Sequence, residues 1–307
     1  MKTIFIGLGD IAQKHIEVLK NIDCKVAGVL TRNYEKTLEK ANQLGIEKVY
    51  KSINEISSND CDFFMILTSP ENNGTILKNI LQFKKAILVE KPVSFSSKDI
   101  DDIIESNTKY KTPIMVGMNR RFYSVFHKGL EYLKMKDKKI DSIVIEAPEK
   151  TEQIKQSRKF SKLVIENWMF CNSIHCIDLI RFFGGDVEKI ETNSNPTKNV
   201  YNAVGHCEKD IEFTYISNWY SPGSWSVTLY ADDIRITFNP LEKGIILKNN
   251  IKEEIFPSPE DIKFKPGFYG QLQHFMKNVI NNKNSWPSSN LEDHRESIRL
   301  VEEIYQV

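Results

Sequence analysis

Five short apolar runs alternate with amphipathic stretches through the first 120 residues, and this alternation constrains the fold more than any other feature. The runs are TIFIG, KVAGVL, CDFFMILT, KAILVE and PIMVGM. In one intervening stretch, Leu38, Ala41 and Leu44 recur at helical spacing before Gly45, a typical helix-ending residue. Apolar strands separated by helices are typical of a parallel sheet covered on both faces. Right-handed crossovers then predict a doubly wound α/β domain.

The pattern changes after Arg121, where longer segments alternate apolar and polar residues. These segments are KIDSIVIEA, VEKIETN, DIEFTYISNW, SWSVTLYA and DIRITFN, and the helical segment IHCIDLIRFFGG interrupts them. Such alternation predicts half-buried antiparallel strands. A chain of 307 residues exceeds what one core usually holds. We therefore predict two domains, a doubly wound one at residues 1–120 and an α+β one with an open, mostly antiparallel sheet at residues 121–307.

The charge balance argues against nucleic acid and membranes as partners. The formal net charge is only +1, so there is no general excess of positive potential. No apolar stretch approaches the roughly 20 residues that cross a bilayer, and MKTIFIGLGD is too short for a signal peptide. The five cysteines show no disulfide spacing. These features predict a cytoplasmic protein with reduced thiols.

A glycine-rich turn follows the first apolar run directly. Gly7, Gly9 and Ala12 fill the G-x-G-x-x-G/A frame. The first glycine permits a tight turn, the second lets backbone approach a pyrophosphate, and the small third residue allows close packing of helix on strand. Asp10 and Ile11 begin a helix whose free N–H groups would face the phosphates. With a strand before it and a helix after it, the frame predicts a dinucleotide site rather than a simple glycine turn.

The end of the second strand bears on the choice of nucleotide. NAD-specific sites usually place an acid there for the ribose hydroxyls, but this chain has Thr31 and Arg32. A guanidinium can pair with a 2′-phosphate through two charge-assisted bonds. Within an NAD(P) site, this favours NADP(H). The alternative is a solvated arginine at a strand end.

The run AILVE continues into Glu90, Lys91 and Pro92. Ligands of doubly wound sheets bind beyond the carboxyl ends of the strands, so Lys91 is placed to reach one. Beside a cationic nicotinamide its charged form would be disfavoured, and it could exchange a proton with a substrate or polarise a carbonyl. The alternative is a surface lysine.

The motifs GLGDIAQKH, VEKPVS, VGMNRRF, IHCIDLIRFFGG and YGQLQHFMKNVIN, in this order, together resemble the Gfo/Idh/MocA oxidoreductase family. The likeness extends over essentially the whole chain, and E-K-P followed by H-x-x-D-L is its most specific part. The resemblance implies an N-terminal Rossmann domain, a C-terminal domain with an open sheet, and a nicotinamide cofactor at their junction. It also implies sugars, sugar nucleotides or cyclitols as substrates, and a homodimer or homotetramer formed through the open sheet.

The resemblance also assigns roles to individual residues. Lys91, which in the family often precedes a cis proline, and His175 would be catalytic. Asn119 would lie near the nicotinamide and Arg121 near the substrate, although a polar strand-to-helix connection explains both equally well. The remaining residues placed with the cofactor are Thr68, Ser69, Pro70 and Asn73 in the loop after the fourth strand, together with Glu90 and Lys91 itself.

The stretch FCNSIHCIDL allows three interpretations. Cys171, His175 and Asp178 share a helical face, but four convergent zinc ligands are not visible, so we predict no metal. A nucleophilic Cys171 would need a base and a positive setting, and buried packing is the commoner state of a thiol. His175 is then the acid–base candidate, because an imidazole exchanges a proton near neutral pH. Its alternative is a satisfied histidine in a helix core, with Asp178 satisfying donors at the helix start.

The chain departs from the family near this histidine. The family pattern D-x-G-x-H would place an aspartate and a glycine where Cys171 and Ser173 stand. A family histidine in the loop after the fourth strand is also absent, and Gly74 occupies that region. Asn172 could orient a substrate by hydrogen bonds but could not carry a proton. The family's proton relay therefore does not transfer intact.

Together these features predict an NAD(P)-dependent oxidoreductase acting on the hydroxyl or keto carbon of a carbohydrate-like substrate. The predicted substrate-binding residues are Lys91, Arg121, Asn172 and His175. The aromatic residues Trp219, Tyr220 and Trp225 would either wall a sugar ring or belong to the sheet core. Two other functions stay open: a redox-neutral epimerase or glycosidase with tightly held cofactor, and a catalytically silent nucleotide-sensing protein.

Overall fold

The computed structural model describes residues 1–156 and 159–307, which form two compact units. Unit 1 comprises Met1–Asn119 and Lys263–Arg295. Unit 2 comprises Arg120–Ile262 and Glu296–Val307. The sequence predicts an uninterrupted second domain from residue 121 onward. In the structure, residues 263–295 belong to unit 1 instead.

Unit 1 is built on a six-stranded parallel sheet with the strand order β3-β2-β1-β4-β5-β6. The strands are β1 Lys2–Ile6, β2 Lys25–Leu30, β3 Lys48–Tyr50, β4 Phe63–Ile66, β5 Ala86–Val89 and β6 Ile114–Val116. The α-helices between them are α1 Asp10–Leu19, α2 Tyr34–Leu44, α3 Pro70–Ile80 and α4 Ser97–Thr108. Every residue of β4 and β5 is buried, as expected for a sheet covered on both faces. The doubly wound prediction is confirmed.

Strand β3 lies outside the five predicted apolar runs. It has three residues at the edge of the sheet, and only Tyr50 among them is buried. An edge strand of this length has too few buried positions to form an apolar run.

Unit 2 is built on an eight-stranded sheet with the order β14-β13-β12-β11-β7-β10-β9-β8. Its strands are β7 Ser142–Glu146, β8 Val187–Thr192, β9 Val200–Cys207, β10 Ile211–Asn218, β11 Ser226–Ala231, β12 Ile234–Phe238, β13 Gly244–Lys248 and β14 Ile251–Ile255. Strands β7 and β10 pair in parallel, and the other neighbours are antiparallel, which confirms the mostly antiparallel sheet. The edge hairpin of β13 and β14 is not predicted from the sequence, because four of the five residues of β14 are exposed.

The remaining α-helices are α5 Ser124–Met135, α6 Thr151–Gln156, α7 Lys162–Glu166, α8 Ile174–Gly184, α9 Pro259–Lys263, α10 Phe268–Lys277 and α11 Leu291–Tyr305. Helix α8 packs against β7 and β10, and all of its residues are buried. One π-helical turn, Met169–Ser173, leads into it. Such turns are frequently found at functional sites. Within the described parts of the chain, no helix is both long and apolar enough to span a membrane.

Helix α10 explains why residues 263–295 join unit 1. Phe268 lies against His15 of α1, with ring centroids 4.5 Å apart, and Phe275 makes an edge contact with Phe63 of β4 at 5.2 Å. Both phenylalanines are almost completely buried. Burial of an aromatic side chain contributes on the order of 2–3 kcal/mol, so this helix forms part of the core of the parallel sheet.

Candidate functional site

Two glycines shape the turn between β1 and α1. Gly7 has φ +104°, and a Cβ there would lie 2.4 Å from the carbonyl oxygen of Leu67. Only glycine fits such a position. Gly9 has an ordinary φ of −78°, and a Cβ there would meet no protein atom within 4 Å among the described residues. The fold therefore requires glycine at position 7, whereas at position 9 it leaves open space beside the backbone.

A cavity of about 590 Å³ lies beside this turn. Six of the predicted cofactor residues line it, and they are Gly7, Gly9, Thr31, Arg32, Thr68 and Ser69. The other lining residues are Ile6, Leu8, Leu30, Ile53, Leu67, Asn72, Thr75, Ile76, Asn79 and Ile80. The lining is mainly apolar with a few polar groups, and its volume is in the range of small-molecule and cofactor sites.

The remaining cofactor residues predicted at the starts of α1 and α3 differ from one another in burial. Asp10 is exposed and Ile11 is half-buried in the first turn of α1, and Gly9, the N-cap residue, has no side chain to bond the first N–H groups. Ala12 is completely buried, as expected for close helix–strand packing. Pro70 is the first residue of α3. The start of α1 therefore keeps N–H groups that suit an anionic ligand.

Arg32 is the only charged residue among those that line this cavity in the described structure. It is exposed at the end of β2, and within residues 1–156 and 159–307 it forms no ion pair with a carboxylate. The lining contains no acid that would favour the ribose hydroxyls of NAD over the 2′-phosphate of NADP. The preference for NADP(H) stays a prediction, which this arrangement favours.

Asn73 has a different environment from the one predicted. Its side chain is completely buried, and its Nδ2 donates to the carbonyl oxygens of Glu90 and Pro92, both at 2.9 Å. Its Oδ1 accepts a bond from the Thr68 hydroxyl at 2.7 Å. The amide therefore braces the loop after β5 and has no remaining N–H group for a cofactor. Its geometry favours positioning of that loop over direct contact.

Glu90 is buried and bonded to His15, with 2.9 Å between Glu90 Oε1 and His15 Nε2. Burial alone would raise the pKa of this carboxyl group. The bond and charge of His15, with the charges of Lys91 and Lys265, outweigh burial and hold the pKa below its ordinary value. Glu90 is thus an anion fixed beside Lys91, in contact with α1 rather than with the cavity.

Lys91 is half-buried at the carboxyl end of β5, and the Lys91–Pro92 peptide bond is cis, as the family resemblance implies. Asn119, predicted to lie near the nicotinamide, is buried, and its Nδ2 donates to the carbonyl oxygen of Pro266 at 3.0 Å. That bond joins the end of β6 to the segment before α10. Asn119 therefore has a structural partner within unit 1.

Arg121 lies inside unit 2 and is paired with Asp178. Its Nε and Nη2 donate to the two carboxylate oxygens at 2.7 and 2.6 Å, and both side chains are at most 4% exposed. Ser297 also donates to Asp178, at 2.7 Å. Asp178 thus has the structural role that the sequence predicts. Because the Arg121 guanidinium is used in this buried pair, the geometry favours packing over the predicted contact with substrate.

His175 is almost fully buried on α8, with 3% exposure. Asn172, three residues earlier in the π-helical turn, is half-buried, and its Nδ2 contacts both oxygens of Glu149 at 3.1 Å. A carboxylate attracts the amide nitrogen and repels the amide oxygen, so Asn172 presents its Oδ1 elsewhere. This oxygen can accept a bond from a hydroxyl.

Glu149 is the functional candidate that sequence reasoning missed. It is 4% exposed and follows β7 by three residues, and Trp168 Nε1 and Ser173 Oγ donate to it at 3.0 and 2.8 Å. Burial raises its pKa, although the bonds from Trp168, Ser173 and Asn172 and the charge of Arg120 act in the opposite direction. The helix lacks an acid at Cys171, but the end of β7 brings a carboxylate to the same turn. The signal was a glutamate shortly after a predicted strand.

The cysteines and aromatic residues of this region have mainly packing roles. Cys171 and Cys176 are buried, and burial raises the pKa of the Cys176 thiol far above its ordinary value, which disfavours a nucleophilic thiolate. Trp219 packs on Tyr201 and Tyr305 in the sheet core. Tyr220 is 48% exposed. Of the three predicted aromatic wall residues, Trp225 has a cationic neighbour, the Arg120 guanidinium, whose central carbon lies 4.6 Å from the ring centroid.

Comparison with known proteins identifies the first domain. Residues 1–118 match the Gfo/Idh/MocA model, described as "Oxidoreductase family, NAD-binding Rossmann fold". The chain is 33% identical over 130 residues to myo-inositol 2-dehydrogenase of Thermotoga maritima. That alignment covers 42% of this chain and 39% of the relative. The curated relative is therefore matched over about two fifths of its length.

Solved structures resemble the whole chain in fold. A Gfo/Idh/MocA family oxidoreductase from Vibrio cholerae matches with a TM-score of 0.81 and 20% identity, over 100% of this chain and 97% of that one. An oxidoreductase from Agrobacterium radiobacter, solved with NAD+, L-tartaric acid and magnesium, matches with a TM-score of 0.79 and 15% identity, over 100% and 95%. The resemblance inferred from the motifs is confirmed for residues 1–118, which match the model of the NAD-binding Rossmann domain of the Gfo/Idh/MocA oxidoreductase family.

Proposed function

We propose that this protein is an NAD(P)-dependent oxidoreductase that acts on a hydroxyl or keto carbon of a sugar, sugar nucleotide or cyclitol. The observation that carries the proposal is the cavity of about 590 Å³ over the Gly7–Gly9 turn, within the domain that matches the NAD-binding family. The similarity of this chain, over 130 residues, to myo-inositol 2-dehydrogenase supports a polyol-like substrate.

The residues around the cavity suit a dinucleotide. Gly9 leaves space for a pyrophosphate, and the N–H groups at the start of α1 offer it hydrogen bonds. Arg32 is the group that would bind a 2′-phosphate. The bound nicotinamide supplies the chemistry of hydride transfer to or from a carbon.

The two catalytic candidates have complementary roles in this proposal. His175 accepts the proton of the substrate hydroxyl during oxidation and returns it during reduction. The Lys91 ammonium stabilises negative charge that develops on a substrate oxygen. Asn73 orients Lys91 by bonding the carbonyl oxygens on either side of it, and the Glu90 carboxylate interacts with the charge of Lys91. Asn172 offers its amide oxygen to a second hydroxyl of the substrate.

Fluorescence titration with NADPH and NADH, followed by turnover on keto-sugars, sugar nucleotides and cyclitols, tests the proposal. Lys91→Ala should lower kcat by about 10²- to 10⁴-fold, the contribution expected of an acid–base or charge-stabilising group. Its nucleotide affinity should stay nearly constant. Lys78→Ala, at an exposed position of α3, is the control. An unchanged kcat in Lys91→Ala would remove this lysine from the mechanism.

Two results would favour a different function for this protein. Nucleotide that co-purifies and is not consumed during turnover would favour a redox-neutral epimerase or glycosidase. Nucleotide binding without turnover on any of the substrates would favour a sensing protein. The expected homodimer or homotetramer is tested separately by light scattering on the purified chain.

A further inference from the structure

Arg120 differs from its neighbouring arginines in unit 2. Arg121 is paired with Asp178 and Arg181 with Asp186. Among the residues that the structure describes, Arg120 has no carboxylate within ion-pair distance, and its buried Nε–H donates no hydrogen bond. A buried charged donor without a partner is costly to a fold. Arg120 is thus a cation whose hydrogen-bonding edge is not used by the described protein.

Trp225 holds this guanidinium by its face. The Arg120 guanidinium carbon lies 4.6 Å from the ring centroid, and Trp225 is itself fixed by a bond of 3.1 Å from Nε1 to the carbonyl oxygen of Pro148. Stacking uses the flat face of the guanidinium and leaves its N–H groups directed outward at the edge. The arginine is therefore held in place for a planar, hydrogen-bonding partner.

The charge of Arg120 acts on the turn that leads into α8. Burial raises the pKa values of Glu149 and Cys176, and the positive charge of Arg120 counteracts both effects. Burial likewise raises the pKa of Tyr123, against the same charge. Glu149 accepts its hydrogen bonds from Trp168, Asn172 and Ser173, rather than from Arg120. The guanidinium thus lies near the segment that carries Asn172 and His175.

We propose that Arg120 determines substrate specificity by binding an oxyanion, a carboxylate or phosphate carried by the sugar-like substrate. This inference rests on the proposed oxidoreductase function, since it places the anion beside Asn172 and His175 of the same unit. A planar carboxylate accepts two parallel bonds from a guanidinium edge, and phosphate oxygens do so as well. The site would then select acidic or phosphorylated sugars over their neutral parents.

The test compares matched substrates in wild type, Arg120→Met and Arg120→Lys. Each neutral sugar is paired with its sugar acid and its sugar phosphate, which distinguishes the two anions. Wild type should prefer one anionic form, and Arg120→Met should lower kcat/KM for that form about 100-fold, mainly through KM. Neutral substrates should change less than about threefold, and Arg120→Lys should recover part of the loss because it keeps the charge without the planar edge.

A binding measurement separates this inference from the proposed reaction. With NADPH present, the anionic sugar should raise the melting temperature of wild type and not that of Arg120→Met, whether or not turnover occurs. Stabilisation without turnover would contradict the oxidoreductase and support the anion site. Arg235→Met, at an exposed position of β12, should behave as wild type throughout.

Two outcomes would overturn the inference. Equal losses of kcat/KM on neutral and anionic substrates in Arg120→Met would show that Arg120 acts as a counter-charge for Glu149. If wild type neither prefers an anionic substrate in kcat/KM nor gains melting temperature from an anionic sugar, Arg120 does not form an oxyanion site.

Discussion

The side-chain amide of Asn73 donates hydrogen bonds to the carbonyl oxygens on both sides of Lys91. The acceptors are Glu90 and Pro92, each at 2.9 Å, and the third polar contact of the amide is with Thr68. Asn73 lies in α3 and Lys91 follows β5, so the two loops at the carboxyl end of the sheet are joined at this point. The direction of the Lys91 side chain depends on these buried bonds.

Asn73→Asp should therefore lower kcat while nucleotide affinity changes little. The variant keeps the shape of the side chain but turns acceptors toward two carbonyl oxygens, which displaces the loop. A displacement of about 1 Å at a catalytic group can cost up to about 10²-fold in rate. Steady-state kinetics and nucleotide titration measure the two effects, and Asn42→Asp, exposed on α2, is the control. A kcat equal to wild type would show that the bracing is dispensable.

Substitutions of the two glycines of the first turn should have different effects, one on the stability of the fold and the other on nucleotide binding. Gly7→Ala places a Cβ 2.4 Å from Leu67 oxygen at φ +104°, so it should lower the free energy of unfolding by more than about 2 kcal/mol. Gly9→Ala meets no described protein atom within 4 Å and should leave stability nearly unchanged. It should weaken nucleotide binding about tenfold, because its methyl group occupies space that the ligand needs. Urea unfolding and fluorescence titration test the pair, and equal nucleotide affinity in Gly9→Ala would move the ligand away from this turn.

Arg32 should control the choice between the two nucleotides. Loss of its charge-assisted bonds in Arg32→Ala should raise the Kd of NADPH about 10- to 100-fold and alter that of NADH only slightly. Arg32→Glu should shift the preference further, because a carboxylate repels the 2′-phosphate and accepts from ribose hydroxyls. Titrations of both nucleotides at one ionic strength decide the matter. Parallel changes for NADPH and NADH would contradict a role in recognising the 2′-phosphate.

Glu149 should make stability depend on pH. Its raised pKa means that ionisation is less favourable in the folded protein than in the unfolded chain. Stability is therefore fully retained below the ordinary pKa of glutamate and falls as pH rises through the folded-state pKa. Glu149→Gln should be more stable than wild type at about pH 7 to 8, and the difference should vanish near about pH 4.

Urea unfolding as a function of pH measures this difference, with Glu131→Gln, at an exposed position of α5, as the control. A glutamine can keep acceptor contacts with Trp168 and Asn172 while its amide nitrogen bonds the Ser173 oxygen. A destabilisation that is the same at every pH would mean that the lost hydrogen bonds, rather than ionisation, dominate.

Features that depend on short stretches of chain were predictable from the sequence. The apolar runs that form β1, β2, β4, β5 and β6 each reflect burial on both faces, and the turn at Gly7 requires a glycine whatever lies around it. The mostly antiparallel sheet of unit 2 follows from alternation in strands such as β10, where buried positions recur every second residue. Strand β14 shows no alternation, because its charged edge faces solvent.

Features that depend on distant partners were not predictable in this way. The bonds of Asn73 with Glu90 and Pro92, and those of Arg121 with Asp178, involve other elements of the fold. The environment of Glu149 likewise requires β7 and the π-helical turn to meet, 19 to 24 residues apart in sequence. A motif can predict that a polar residue is present, whereas the partner that occupies its donors and acceptors is set by tertiary packing.

Unit 1 is discontinuous, and its core includes Phe268 and Phe275 from a segment encoded far downstream of its sheet. During synthesis on a ribosome, the parallel sheet therefore emerges well before the helix that covers His15 and Phe63. Until then the nascent nucleotide-binding region exposes aromatic surface of the kind that chaperones recognise. An engineered fragment that stops at residue 119 should expose the same aromatic surface and aggregate. A fragment in which residues 263–295 are fused to residues 1–119 should fold as a single domain.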